Sequence, residues 1–217
     1  MTLDELLQRA CVWRAGVGTP PVGGSLTSGY AALDGILPGG GWPRSGLTEI
    51  LAATTGIGAL RLVLPALARL SREGRWIIWV APPHVPYSPA LHGHGLDLTR
   101  VLVVELAEDE ASTRMQTLWA YEQALRFADC GAALLWQDSI SNPRLRRLQI
   151  AAAASSTWGL VFRPASCAAQ PSPAPLRLEI EALNEPRSGA VAKASSLRVS
   201  VRKARGARAG LHCQLEL

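Results

Sequence analysis

The chain has 217 residues, of which 48% are hydrophobic and 18% charged, a balance typical of a globular protein and not of a disordered one. It contains no apolar stretch of the ~18 residues that a membrane helix needs, and no N-terminal signal peptide. Its four cysteines are far apart and form no CxxC pair. These features predict a cytoplasmic protein with free thiols and no membrane contact.

The net charge of +5 is unevenly distributed along the chain. Residues 187–217 contain seven of the 22 basic residues but only one of the 17 acidic residues. Such a tail favours an anionic partner, either nucleic acid or an acidic protein surface, although a purely solubilising tail has the same composition. The candidate contact residues in this tail are Arg198, Arg202, Lys203, Arg205 and Arg208.

Residues 2–13 are predicted to form a short amphipathic helix. Thr2 and Glu5 have the spacing of a capping box, and apolar residues follow at helical spacing. A helix this small cannot bury its apolar stripe alone, so we expect it to dock on the body of the chain or on another chain. The candidate docking residues are Leu3, Leu6, Leu7 and Trp13.

Short apolar runs alternate with amphipathic helical patterns from residue 25 to residue 163. The runs Leu47–Leu51, Trp76–Val80 and Ala132–Trp136 are typical of buried strands. Residues 111–129 carry apolar residues at helical spacing, among them Met115, Leu118, Trp119 and Leu125. Buried strands that alternate with helices predict an α/β fold with a mostly parallel sheet flanked by helices.

The pattern changes after residue 163. Residues 164–175 are rich in proline and are interpreted as a linker. Beyond them the apolar period becomes two, as in Leu176, Leu178 and Ile180, with Arg177 on the opposite, polar face. Antiparallel C-terminal strands are therefore expected to finish the sheet. The predicted organisation is a docking helix (1–16), a core (25–163), a linker (164–175), and C-terminal strands with a basic tail (176–217).

A loop follows the strand run Leu47–Leu51, at the position where doubly wound sheets bind ligands. A working phosphate loop there needs glycines, a lysine and a Ser/Thr hydroxyl. The lysine position falls on Gly58 and the hydroxyl position on Ala59, and the chain has no lysine before Lys193. We interpret the loop as a degenerate phosphate loop and expect no cofactor and no catalytic residue. Its residues are Ala52, Thr54, Thr55, Gly56, Gly58 and Ala59.

Two smaller groups have a weaker chemical signal. His84, His92 and His94 cluster in one loop, but no cysteine lies near them, and we expect no metal site. Arg144 and its neighbours Arg146 and Arg147 lie at a predicted helix start, where cations oppose the helix dipole and so are candidates for contact with a partner.

The residues that lead into the loop resemble the opening of the RecA-type ATPase core, which implies a RecA-like fold. They are Leu33, Asp34, Gly39, Gly40, Gly41, Pro43, Gly46, Glu49 and Ile50. The segments Leu37–Pro43, Leu47–Ile50, Ala81–His84 and Arg146–Gln149 are similar to ImuA, a family of RecA-like accessory proteins of translesion DNA synthesis related to SulA.

The ImuA resemblance implies a non-catalytic adaptor in SOS-induced translesion synthesis. The implied partners are an ImuB-like inactive relative of Y-family polymerases, an error-prone replicative-type DNA polymerase complex and RecA. Non-specific DNA contact through the basic tail, and nucleoid association when in complex, accompany this hypothesis. Two alternatives remain open at this point: a SulA-like division inhibitor that binds FtsZ, and a protein with residual nucleotide binding.

Overall fold

A computed structural model of the chain describes residues 24–53, 56, 58–105, 110–183, 196–206 and 208–217. The predicted N-terminal helix, with Leu3, Leu6, Leu7 and Trp13, lies outside the described residues. The strands are β1 (Ser25–Leu26), β2 (Trp42–Pro43), β3 (Gly46–Ala52), β4 (Trp76–Val80), β5 (Val101–Val104), β6 (Cys130–Trp136), β7 (Trp158–Pro164), β8 (Leu176–Ala182), β9 (Ser196–Ala204) and β10 (His212–Glu216). The α-helices are α1 (Ala31–Asp34), α2 (Ala59–Arg72), α3 (Ser88–Gly93), α4 (Glu110–Arg126) and α5 (Asn142–Ala154).

Eight of these strands form one mixed sheet, in the order β10-β9-β8-β3-β7-β6-β4-β5. The six strands from β8 to β5 run parallel to their neighbours, whereas β9 and β10 pair antiparallel at one edge. The central strands β3 and β6 are buried along nearly their whole length, which explains why β6 is apolar throughout and β3 is apolar except at Thr48 and Glu49. The two remaining strands, β1 and β2, form a separate antiparallel pair.

Apolar clusters cover both faces of the sheet. One contains the buried side of α2 together with Trp42 and Trp158, and the other contains the buried residues of α4 and α5. The rings of Trp42 and Trp158 lie 5.3 Å apart, and Trp136 stacks on Phe162 at 4.8 Å. Most of the tryptophans are therefore part of the core, where large rings bury the most apolar area.

The glycine-rich turn before β2 has a packing reason. A Cβ atom on Gly41 would lie 2.5 Å from the backbone oxygen of Leu26, on the paired strand β1. Because a backbone oxygen cannot move aside as a flexible side chain can, only glycine allows β1 and β2 to approach this closely. Gly39 and Gly40 instead have φ values of 71° and 75°, in the region that favours glycine.

The polar face of β8 is not solvent-exposed at its start. Arg177 is only 6% exposed, although the period-two pattern predicts that it faces water. Residues 164–175 lie next to it and include a 3-10 helix, Ala165–Ala169, with Cys167 buried. The prediction of a solvated Arg177 is therefore wrong, because the segment that precedes β8 in the sequence folds over that face.

None of the helices in the described parts of the chain combines the length and apolar character required to cross a lipid bilayer.

Candidate functional site: the loop after β3 and the buried cluster beneath it

The loop between β3 and α2 is built around two glycines in left-handed conformations. Gly56 has φ 82° and Gly58 has φ 99°, and Gly58 is the N-cap residue of α2. No side chain caps this end of the helix. The chain enters the helix through the left-handed conformation of Gly58, without the side-chain hydrogen bond that a Ser or Asp cap would supply. Of the predicted loop residues, Thr54 and Thr55 lie outside the described residues, whereas Ala52 ends β3 and Ala59 begins α2.

Apolar side chains from the C-terminal strands cover the start of α2. A Cβ on Gly58 would lie 2.5 Å from Cδ1 of Leu217 and 3.6 Å from Cδ1 of Leu197. The first turn of α2 contains no acidic residue, and its only charge is Arg61. The two described side chains nearest to Gly58 are therefore apolar, where a phosphate site would need polar donors.

The strand that leads into this loop, β3, carries part of a buried group of charges that we call the Glu49 cluster, made of Glu49, Arg163 and Arg177. Glu49 is on β3, and the arginines come from the strands on either side of it, β7 and β8. Nη1 of Arg163 donates to Oε1 of Glu49 at 3.0 Å, and Nε of Arg177 donates to Oε2 at 2.5 Å. All three side chains are at most 7% exposed.

The two guanidinium groups also hold the segment that follows β7. Arg177 donates to the carbonyl oxygens of Cys167, Ala168 and Gln170 at 2.9, 3.2 and 3.0 Å. Arg163 donates to the Gln170 side-chain oxygen at 3.0 Å. Because two cations share one carboxylate, carbonyl dipoles solvate the remaining positive charge. The Glu49 cluster thus anchors residues 165–170 to the middle of β3, the end of β7 and the start of β8.

Sequence reasoning missed both arginines of this cluster. Glu49 stood out through the RecA resemblance, but Arg177 was assigned to a polar face and Arg163 was not singled out. The available signal was an isolated arginine inside the apolar run of β7, Trp158–Pro164. A charged residue in a buried strand needs a partner, so such a position predicts a buried ion pair.

The structure pairs three of the five cationic candidates of the C-terminal strands. Arg198 lies 3.6 Å from Glu181, and Nε of Arg202 lies 2.5 Å from an oxygen of Glu179. Nζ of Lys203 donates to the Ser172 carbonyl oxygen at 2.6 Å. Burial and, secondly, the nearby Arg177 guanidinium lower the pKa of Lys203. These three cations therefore have partners within the chain, and the charges of Arg198 and Arg202 are partly neutralised.

The other two candidates lie at the turn between β9 and β10. Arg205 and Arg208 are both exposed, and neither side chain has a carboxylate partner among the described residues. We call these two residues the basic turn. Their role in partner or DNA contact stays a prediction, as does that of the N-terminal residues. In the described part of the chain, no three His, Cys, Asp or Glu side chains converge as metal ligands do.

Comparison with known proteins identifies the family. A family model described as "Cell division inhibitor SulA" matches residues 47–159. Protein ImuA of Caulobacter vibrioides is 33% identical over 154 residues, which make up 68% of this chain and 60% of that protein. The cell division inhibitor SulA of Edwardsiella piscicida is 30% identical over 123 residues, covering 56% of this chain and 70% of that protein. The chain thus spans about 60% of the length of its ImuA relatives.

Among solved structures, the crystal structure of SulA from Pseudomonas aeruginosa is 27% identical, with a TM-score of 0.43. The match covers 54% of this chain and 97% of the Pseudomonas SulA chain.

The prediction of a RecA-like fold is wrong, because the family model that matches the core, residues 47–159, is that of SulA. Two of the residues that carried the RecA resemblance have structural roles here. Gly41 makes room for the β1 backbone, and Glu49 pairs with two buried arginines. The interpretation of the loop as a degenerate phosphate loop has no support from these matches either, and Leu217 lies against Gly58.

The matched model covers just over half of the chain, and the Edwardsiella relative is matched over more than two thirds of its length. The predicted resemblance to ImuA is confirmed by the Caulobacter protein. The chain belongs to the SulA family.

Proposed function

We propose that this chain is a non-catalytic accessory protein of SOS-induced translesion DNA synthesis, which acts by binding other proteins. The observation that carries the proposal is the 33% identity with ImuA, which extends over 68% of the chain. The apolar cover over Gly58 supports the non-catalytic part of the proposal, because an enzyme of nucleotides needs polar groups at such a loop. The proposed partners are an ImuB-like inactive polymerase relative, an error-prone replicative-type polymerase complex and RecA.

The test is complementation of a strain that lacks its own gene for this protein. We expect the intact chain to restore ultraviolet-induced mutation to rifampicin resistance, and purified chain to show no saturable ATP binding in equilibrium dialysis with Mg²⁺. If the chain restores ultraviolet-induced mutation but binds ATP with micromolar affinity, the result would contradict only the claim that the protein is non-catalytic. Failure to restore mutation, with the protein folded and expressed, would contradict the translesion role.

A second candidate function is inhibition of cell division through FtsZ. The match of the SulA family model to residues 47–159 favours it. Overproduction of the chain then causes filamentation, and FtsZ alleles resistant to SulA suppress it. In the translesion role, overproduction leaves division unchanged while it raises induced mutation. The two outcomes separate the two functions in one strain.

We further propose that the basic turn contacts the DNA backbone when the protein is in its complex. Replacing Arg205 and Arg208 by alanine is expected to weaken DNA binding and to reduce the slope of log K against log salt by about 0.9 for each lost phosphate contact. The measurement is fluorescence anisotropy with a labelled duplex. The salt concentration is varied from about 50 to about 200 mM, the range over which counterion release lowers the affinity steeply.

The matched control replaces Arg198 and Arg202, which have the same charge but are already paired with Glu181 and Glu179. We expect this control to change the slope less than the variant of the basic turn. Equal slopes in the two variants would assign the contact to overall charge and would contradict a specific role of Arg205 and Arg208.

A further inference from the structure

An apolar groove of about 230 Å³ lies on the outer face of the protein, between α4 and α5. Leu118 and Leu148 are buried along it, whereas Met115 and Trp119 are 62% and 61% exposed. Met115 and Trp119 are four residues apart on α4 and therefore neighbours on the helix surface. Exposed large side chains beside a buried apolar floor are typical of a surface that a partner covers.

Trp119 differs from the other described tryptophans, which are buried or half-buried in the sheet core. It is also separate from the loop after β3 and from the basic turn. Tryptophan side chains are enriched among the residues that contribute most to binding energy, because a large rigid ring buries much area with little loss of side-chain entropy. The exposure of Trp119 therefore indicates an anchor point for a partner.

The charges around the groove are mainly positive. Residues 115–126 of α4 together with α5 contain four arginines and one glutamate, Glu122. Nε of Arg147 lies 2.7 Å from Oε2 of Glu122, and Nη2 of Arg126 donates to Oε1 at 2.9 Å. Burial alone would raise the pKa of Glu122, but the hydrogen bonds from Arg147 and Arg126 outweigh this effect and lower it. Glu122 is thus a charged residue that neutralises part of the positive charge of Arg126 and Arg147.

Arg144 and Arg146 remain without a carboxylate partner among the described residues. Arg144 lines the groove, and its Nη2 lies 3.9 Å from the sulfur of Met115. Arg146 is exposed on the same helix. Both cations lie in the first turn and a half of α5, where the helix dipole already disfavours positive charge. Their charge is not compensated within the described chain and is available to an anionic partner.

We propose that this groove binds a short acidic segment of a partner protein, which places a large apolar side chain against Trp119 and pairs its carboxylates with Arg144 and Arg146. A peptide fits better than nucleic acid because the buried floor of the groove, Leu118 and Leu148, is aliphatic, and the lining offers one exposed aromatic ring, that of Trp119, on which a base could stack. This docking site serves either of the proposed functions, so its test uses purified protein and is independent of both.

The test is selection of a displayed library of random 16-residue peptides on the immobilised full chain. We expect the recovered peptides to combine one or two large apolar residues with flanking Asp or Glu. Fluorescein-labelled synthetic copies of the recovered peptides then give affinities by anisotropy. Trp119→Ala is expected to lower the affinity at least about tenfold, and Arg144→Glu with Arg146→Glu to lower it by a similar factor.

The matched control is Ile150→Ala, since Ile150 is 62% exposed on α5 but does not line the groove. It should leave peptide affinity within about twofold, as is usual for residues away from the centre of a binding site. Circular dichroism and thermal melting confirm that each variant is folded.

Several outcomes overturn the proposal. One is a selection in which no recovered peptide loses affinity on Trp119→Ala. Another is a set of recovered peptides that is not enriched in Asp or Glu. Tighter binding of a labelled dT20 oligonucleotide than of any peptide, lost in the Arg144 and Arg146 variant, would assign the surface to nucleic acid. A dimer in sedimentation equilibrium that dissociates on Trp119→Ala would assign the groove to self-association.

Discussion

Replacing Glu49 by glutamine is expected to lower the free energy of unfolding by about 3–5 kcal/mol. The carboxylate of Glu49 is fully buried between Arg163 and Arg177, at 3.0 and 2.5 Å. Glutamine keeps the size of the side chain but removes the negative charge, which leaves two guanidinium groups buried without a counter-charge. Desolvated charges without a partner are among the largest single sources of destabilisation. The measurement is equilibrium unfolding in urea, followed by far-ultraviolet circular dichroism.

Glu179→Gln is the matched control for this prediction. Glu179 also pairs with an arginine, Arg202, but that arginine is 53% exposed and can be solvated by water once its partner is lost. Exposed pairs contribute roughly 0–1 kcal/mol, so the control is expected to be nearly as stable as the native chain. Equal losses in the two variants would contradict the assignment of the Glu49 cluster as a buried and mutually dependent group.

A second chemical comparison tests how the cluster is coupled. Arg163→Met removes one buried charge, leaves a side chain of similar length and restores charge balance between Glu49 and Arg177. The double variant Arg163→Met, Glu49→Gln is therefore expected to lose less free energy of unfolding than the sum of the losses in the two single variants. The reason is that the effects of substitutions within one ion-pair network are not additive. Additive losses in this double-mutant cycle would show that the two residues act separately.

Trp158→Ala is expected to destabilise the protein by about 3–5 kcal/mol, the range for removal of a large buried ring. Trp158 is fully buried, its ring lies 5.3 Å from that of Trp42, and its Nε1 donates to Oγ1 of Thr48 at 3.0 Å. The substitution leaves a cavity at the start of β7 and removes the hydrogen bond to the Thr48 hydroxyl. Chemical denaturation and the thermal midpoint measure the effect.

The same substitution at Trp119 is the control, because its ring is 61% exposed and has few core contacts to lose. We expect Trp119→Ala to stay within about 0.5 kcal/mol of the native chain, as surface substitutions commonly do. A large loss of stability at Trp119 would contradict its description as an exposed anchor, and it would also weaken the docking proposal for the groove between α4 and α5.

Local periodicity predicted much of the secondary structure. The runs Leu47–Leu51, Trp76–Val80 and Ala132–Trp136 lie within β3, β4 and β6. Period and length carry this information because a strand buried on both faces is apolar at most positions, while the apolar residues of a helix on the sheet recur with a period of 3.6.

Periodicity alone did not separate core residues from exposed ones within a helix. Met115, Leu118, Trp119 and Leu125 share helical spacing, yet Leu118 and Leu125 are buried while Met115 and Trp119 are exposed. The boundary depends on how far α5 extends over α4, and that is a property of helix packing and not of the sequence of α4.

The family resemblance illustrates the same limit at the level of a motif. The glycines and Glu49 suggested a RecA-type loop, but a glycine required for close backbone contact and a glycine required for phosphate binding are identical in the sequence. Gly41 meets the backbone of Leu26, and Gly58 has a φ of 99°, so close backbone packing explains the first glycine and backbone conformation the second. Only the neighbours in space distinguish the two roles.

By itself, the sequence determined the alternation of strands and helices, the missing lysine before Lys193 and the concentration of positive charge after residue 187. These are local or compositional properties, which neighbouring residues determine. Tertiary structure alone decided that Glu49 meets Arg163 and Arg177, which lie 114 and 128 residues away, and that Leu217 lies on Gly58. Such contacts depend on strand order and on which segment covers each strand end, and no short-range pattern encodes either.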